Sequence, residues 1–124
     1  MVKVVNEIAS DKLCEVIVEG MQENKAEDIV VLDLREVDGA VTDFFVIGNG
    51  DSSTQVEGIA NAIVRLTRNT VQEKPWHQEG KRNSQWVLLD YVNVVAHIFH
   101  KDVREYYDLE ELWADGKKRQ IENN

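Results

Sequence analysis

Gly48-Asn49-Gly50-Asp51-Ser52 sits between an apolar run and a helical pattern. Backbone amides at such a strand–glycine–helix junction can cradle a phosphate. The P-loop pattern is not met, since no Lys-Ser/Thr follows a second glycine, and the same residues serve equally as a turn and a helix cap. Asp33, Asp43 and Asp90 lie in or near strand-like runs and are candidate metal carboxylates, but no Asp-x-Asp pair supports them. His97 and His100 are three apart where a strand gives way to a helix, which is poor metal geometry without a third ligand. Cys14 lies in a helical stretch with no histidine nearby and reads as packing, not as a nucleophile. It is the one cysteine, so neither an internal disulfide nor a multi-thiolate zinc site is possible. No catalytic constellation assembles. The residues predict no enzyme, no cofactor and no metal.

Binding is better supported. Trp86–Tyr91 and Asn93–Phe99 are rich in β-branched and aromatic residues and read as a hairpin. Placing Asp90 opposite Asn93 sets Leu88 against Val95 and Trp86 against His97, because paired residues share a face. The other face is wholly apolar: Val87, Leu89, Val94, Ala96 and Ile98. The first face then combines an indole with Asp90, Asn93 and His97, a pattern of binding hot spots. The competing reading puts Trp86 beneath a helix and His97 in a hydrogen-bonded interior. A Tyr91-Val92 turn needs positive φ, which valine resists, so the register stays open.

These residues must be positioned by the elements around them. Val4 to about Glu23 is helical, with Val5, Ile8, Ala9, Leu13, Val16, Ile17 and Gly20 in one arc. Glu7, Asp11, Glu15, Glu19 and Glu23 recur every four positions, either as a solvated face or as a ridge for a basic surface. Ile29–Leu34 reads as a strand buried on both faces, and Asp43–Ile47 as a second strand ending at Gly48. Ser52 with Gln55 has capping-box spacing and opens a helix whose stripe is Val56, Ile59, Ala60, Ile63, Leu66 and Thr67. That helix fades before Lys74-Pro75. Trp76–Ser84 is polar and reads as a loop; Asp108 with Glu111 opens a short last helix through Trp113. The expected fold is α/β (α+β), a mixed sheet of four to five strands flanked by helices in the order α-β-β-α-β-β-α. Residues 1–116 form one domain, followed by a polar, fraying tail over 117–124.

The chain has 124 residues, 43% of them apolar and 30% charged, an ordinary globular balance. Folding at this size buries about two thirds of the surface, enough core without staples. No apolar run approaches a bilayer span, and no signal-peptide pattern opens the sequence; the expected location is the cytoplasm. The formal net charge is −9, spread over the body, with three basic residues in the last eight. Such a surface repels phosphate backbones and anionic membranes, and attracts a basic protein.

Thr42–Ala60 (TDFFVIGNGDSSTQVEGIA), Glu79-Gly80, Trp86–His97 (WVLLDYVNVVAH) and Arg104–Trp113 (REYYDLEELW) together resemble the ribosomal silencing factors, the Iojap-like family. The likeness runs from about residue 6 to residue 114. It implies a three-layer-like α/β fold similar to nucleotidyltransferases but without their catalytic residues. It also implies binding to the large ribosomal subunit through large-subunit protein fourteen, which blocks joining of the small subunit and represses translation. The family's Trp, Asp, His and late Tyr fall on Trp86, Asp90, His97 and Tyr107. With Leu88 on the same face and Glu79 available to a basic partner, these form the expected partner-binding set. One departure is Val92-Asn93, where the family usually has Gly-Asp. Two other readings stand beside this one: a nucleotide-handling enzyme using the Gly48–Ser52 loop, and a homodimer formed through the Trp86 face.

Overall fold

The computed structural model describes the backbone of residues 2–122 and the side chains of residues 10–122. Helix α1 (Val2–Glu23) leads into β1 (Glu27–Asp33) and β2 (Phe44–Gly50), then α2 (Ser53–Val71). β3 (His77–Glu79), β4 (Trp86–Asp90) and β5 (Val94–His100) follow, then α3 (Lys101–Tyr107), α4 (Leu109–Leu112) and β6 (Lys117–Gln120). The strands form one mixed sheet in the order β3-β4-β5-β2-β1-β6, with β2 and β5 parallel and the other neighbours antiparallel.

Two layers of core follow from strand alternation. One sheet face carries Ile29, Val31, Val46, Val87, Leu89, Ala96 and Ile98 against Leu13, Ile17 and Met21 of α1 and Val56, Ile59 and Ile63 of α2. The other carries Val30, Leu32, Ile47 and Phe99 beneath Val103, Leu109 and Trp113. Cys14 is buried in the first layer, and that burial pushes its thiol pKa up to about 12. It is a packing residue, unionised at neutral pH. Of the acidic series on α1, Asp11, Glu15, Glu19 and Glu23 are exposed, with Glu23 paired to Arg65 and Asp11 to Arg35. Glu7 and the apolar positions Val5, Ile8 and Ala9 lie outside the described side chains.

Ser52 caps α2 by accepting the Gln55 N–H at 3.1 Å, and Gln55 Oε1 accepts the Asp51 N–H at 2.7 Å. The Ser52 cap expected from the sequence is therefore present, but the return bond of Gln55 goes to Asp51, one residue before the cap, and not to Ser52. Gly48-Asn49-Gly50 differs from expectation: it is the end of β2, not a turn. A Cβ at Gly48 would meet Met21 Sδ at 2.9 Å, so that glycine makes room for α1.

Three further expectations are corrected. Among the described residues there are six strands, not four or five. Residues 77–79, expected in a loop, form edge strand β3 on β4. Residues 117–120, expected in a fraying tail, form β6, which pairs with β1 through four residue pairs. Both segments are exposed throughout and owe their strand state to the buried neighbour they pair with, not to a pattern of their own.

Candidate functional site

The β4–β5 hairpin is shifted by one rung from the sequence-based register. Asp90 pairs with Val95, Leu88 with His97 and Trp86 with Phe99. A shift of two residues keeps every side chain on its expected face but changes its partner. The loop is Val92-Asn93, closed by the Tyr91 N–H to the Val94 carbonyl at 2.9 Å. Tyr91 is thereby inside the hairpin, where its hydroxyl meets Thr67 Oγ1 of α2 at 2.9 Å. Val92 takes φ +77°, and the Asn93 N–H donates to the Tyr91 carbonyl at 3.0 Å. This is a γ-turn of the rarer, strained hand.

Strands β3, β4, β5 and β2 bring the expected residues onto one face. The pairs Glu79–Leu88 and Leu88–His97 make a single rung across three strands, and His77–Asp90–Val95 the next. β3 can lie this close because residue 80 is glycine: at φ +86°, a Cβ there would fall 1.8 Å from the Trp86 carbonyl oxygen. Helix α3 packs over β5 and β2 and meets β4 where Tyr107 lies against Trp86. Trp86, Leu88, Asp90, Val95 and Phe45 are half-buried on this face, and Glu79 and Tyr107 are exposed.

Trp86 is fixed from several sides. Its ring centroid is 4.5 Å from Tyr107, 5.0 Å from Phe99 in a stacked arrangement, and 5.9 Å from His97. Its indole N–H donates to His97 Nδ1 at 3.1 Å. The indole's one polar group is thus satisfied internally, so its free surface is apolar.

His97 was expected at the contact surface; the structure buries it beneath Trp86 and against the edge of Phe45 at 4.5 Å. Burial lowers its pKa to about 3, so it is a neutral imidazole able to accept from the indole. It holds the indole N–H from below and leaves only 4% of its surface exposed. Asp90 Oδ1 accepts the Val92 N–H at 2.7 Å, so this carboxylate also secures the hairpin tip. Glu79 is held beside His77 at 2.6 Å.

Phe45, Phe99 and Trp113 complete the aromatic cluster, and the sequence-based set omits them. Phe99 follows from alternation along β5 with Val95 and His97, and Phe45 from its pairing with Val95 in the parallel β2–β5 ladder. Trp113 arrives from α4, 5.9 Å from Phe45. Among the described residues no group of three or more His, Cys, Asp or Glu is placed to hold a metal ion, and no helix is long and apolar enough to cross a membrane. The Gly48–Ser52 segment spends its polar groups on the α2 cap and on Arg104, whose Nη1 lies 2.7 Å from Asn49 Oδ1.

Fold and site together define a mixed six-stranded α+β protein whose sheet bears an aromatic cluster on one partly uncovered face. The profile of a family described as "Ribosomal silencing factor during starvation" matches residues 7–124. The ribosomal silencing factor of Bacillus subtilis is 44% identical over 75% of this chain and 77% of its own length. A crystal structure of a Chromobacterium violaceum protein superposes with a TM-score of 0.79 at 28% identity, covering 92% of both chains. A mouse protein named "Mitochondrial assembly of ribosomal large subunit protein 1" is 29% identical over 81% of this chain, which spans 44% of that protein. The chain belongs to the ribosomal silencing factor family. That membership supports a ribosome-associated role in regulating translation; the family is a regulatory one.

Proposed function

We propose that this chain docks on the large ribosomal subunit through large-subunit protein fourteen, and that its bulk there blocks joining of the small subunit and so represses translation. The observation that carries this reading is the fixed, half-buried Trp86 at the edge of the helical cover of the sheet face. Its ring is held by Phe99, Tyr107 and His97, so little side-chain freedom is left to lose on binding. Leu88 extends the apolar centre, and Asp90 and Glu79 lie at its border, where they would face Lys or Arg. Tyr107 forms the opposite wall. His97 acts from below through the indole.

The wider charge supports the same partner class. A chain of net charge −9 is drawn to a basic ribosomal protein and repelled by bare phosphate. The mouse relative's name, with its reference to the large subunit, points to the same ribosomal half. A steric mechanism needs affinity and volume but no chemistry, in keeping with a regulatory family. The ribosomes it would act on place it in the compartment where translation occurs.

The test is cosedimentation with separated subunits and with joined ribosomes. The wild-type chain is expected with free large subunits only, and Trp86→Ala is expected to weaken that binding by about 2 kcal/mol or more, as truncation of a central aromatic anchor does. Wild-type affinity in the alanine variant would overturn the assignment of Trp86.

A further inference from the structure

Helix α3 has seven residues and fully buries none of them. A helix this short has no stability of its own, and its apolar hold on the sheet is the partly buried Val103. Yet it supplies Tyr107, whose ring lies 4.5 Å from Trp86. A polar tether adds to that hold.

Arg104, one turn before Tyr107, makes that connection. Its Nη1 donates to the Asp28 carbonyl of β1 at 2.6 Å and to Asn49 Oδ1 of β2 at 2.7 Å. Its Nε and Nη2 reach Glu110 Oε1 of α4 at 3.2 and 3.1 Å. Glu110 in turn pairs with Lys118 of β6 at 3.4 Å. The Arg104 side chain is 12% exposed, so these charge-assisted bonds are only weakly screened. Asn49 is itself buried and has its side-chain oxygen turned to this guanidinium. The carbonyl of Asp28 is presented by a left-handed residue at φ +51°, where the β1–β2 register shifts. A planar fork that reaches two strands and a second helix at once suits arginine and not lysine.

We infer that Arg104 is a positioning residue for the docking face: its tether to β1, β2 and α4 holds α3 so that Tyr107 closes against Trp86. This rests on the reading of the Trp86 face as the docking surface, and the experiment separates the two. Two variants of the full chain are used: Arg104→Met, which keeps the aliphatic stem, and Arg104→Lys, which keeps one charge and most of the fold's electrostatics. In the wild type, nuclear Overhauser contacts are expected between the Trp86 and Tyr107 rings. Both variants are expected to lose or weaken them while keeping those between Trp86 and Phe99. Affinity for free large subunits is then expected to fall about tenfold in Arg104→Met, with a smaller loss in Arg104→Lys. The double variant Arg104→Met/Tyr107→Ala is expected to bind no worse than Tyr107→Ala alone, because the arginine acts through the tyrosine. Unchanged Trp86–Tyr107 contacts in both variants, or additive losses of affinity, would overturn the inference while Trp86→Ala still weakened binding. Wild-type affinity in Trp86→Ala would instead overturn the docking face itself.

Discussion

Val92 stands at φ +77°, a backbone conformation that a β-branched residue adopts only under strain. The turn persists because its neighbours hold it: Asp90 Oδ1 takes the Val92 N–H, and the Val92 carbonyl accepts from Thr42 Oγ1 at 2.9 Å. Val92→Gly is therefore expected to stabilise the fold by about 1 kcal/mol, read as a raised urea midpoint, without altering large-subunit binding. No change, or a loss of stability, would show that the valine side chain compensates for its backbone. His97 carries a second prediction. Its pKa is lowered from 6.5 to about 3 in the fold, so below pH 6.5 the unfolded chain takes up a proton that the folded chain refuses. The stability from this site is complete above pH 6.5 and declines as pH falls towards 3. Between pH 7 and 5 the linkage amounts to about 2 kcal/mol. Urea unfolding at the two pH values checks this, and His97→Gln is expected to shrink the difference.

The elements show which signals a sequence carries. Alternation in Trp86–Asp90 and Val94–His100 assigns each side chain to a face without any knowledge of the partner strand, and those faces are the ones observed. The rung was not legible. It depends on Tyr91 entering the core to meet Thr67 and on Asp90 securing the tip, both tertiary contacts. Hence Trp86 lies beside Phe99, and His97 is buried under the indole instead of facing a partner. The caps at Ser52 and Asp108 were legible because a local hydrogen bond makes each of them, Gln55 N–H to one and Glu111 N–H to the other. β3 and β6 were not, because HQE and KKRQ have no apolar face to signal burial. β6 matters nonetheless, since it covers the outer edge of buried β1. Removing residues 117–124 is expected to cost on the order of 2 kcal/mol, from the lost ladder of four pairs. It also bares an apolar strand edge, so concentration-dependent association is expected in sedimentation. A truncated chain as stable and as monodisperse as the full one would show that the strand contributes nothing.

At the scale of the molecule, the two sheet faces have different tasks. Helices α1 and α2 seal one of them into the larger core, so the chain has a rigid back. The other is covered by the short helices α3 and α4, and the aromatic cluster lies at the edge of that cover, with Trp86 half-buried. A second copy of the chain could occupy the same face, and dimer and ribosome complex would then compete; sedimentation of the isolated chain at micromolar concentration distinguishes a monomer from that dimer. The central claim, that the molecule acts by occupying space between the ribosomal halves, is tested most directly by mixing purified subunits with increasing amounts of the chain and following their joining by light scattering. The account predicts that joining falls with dose to near zero, and that Trp86→Ala shifts the curve to much higher concentration. Undiminished joining at a dose that saturates the large subunit would contradict it.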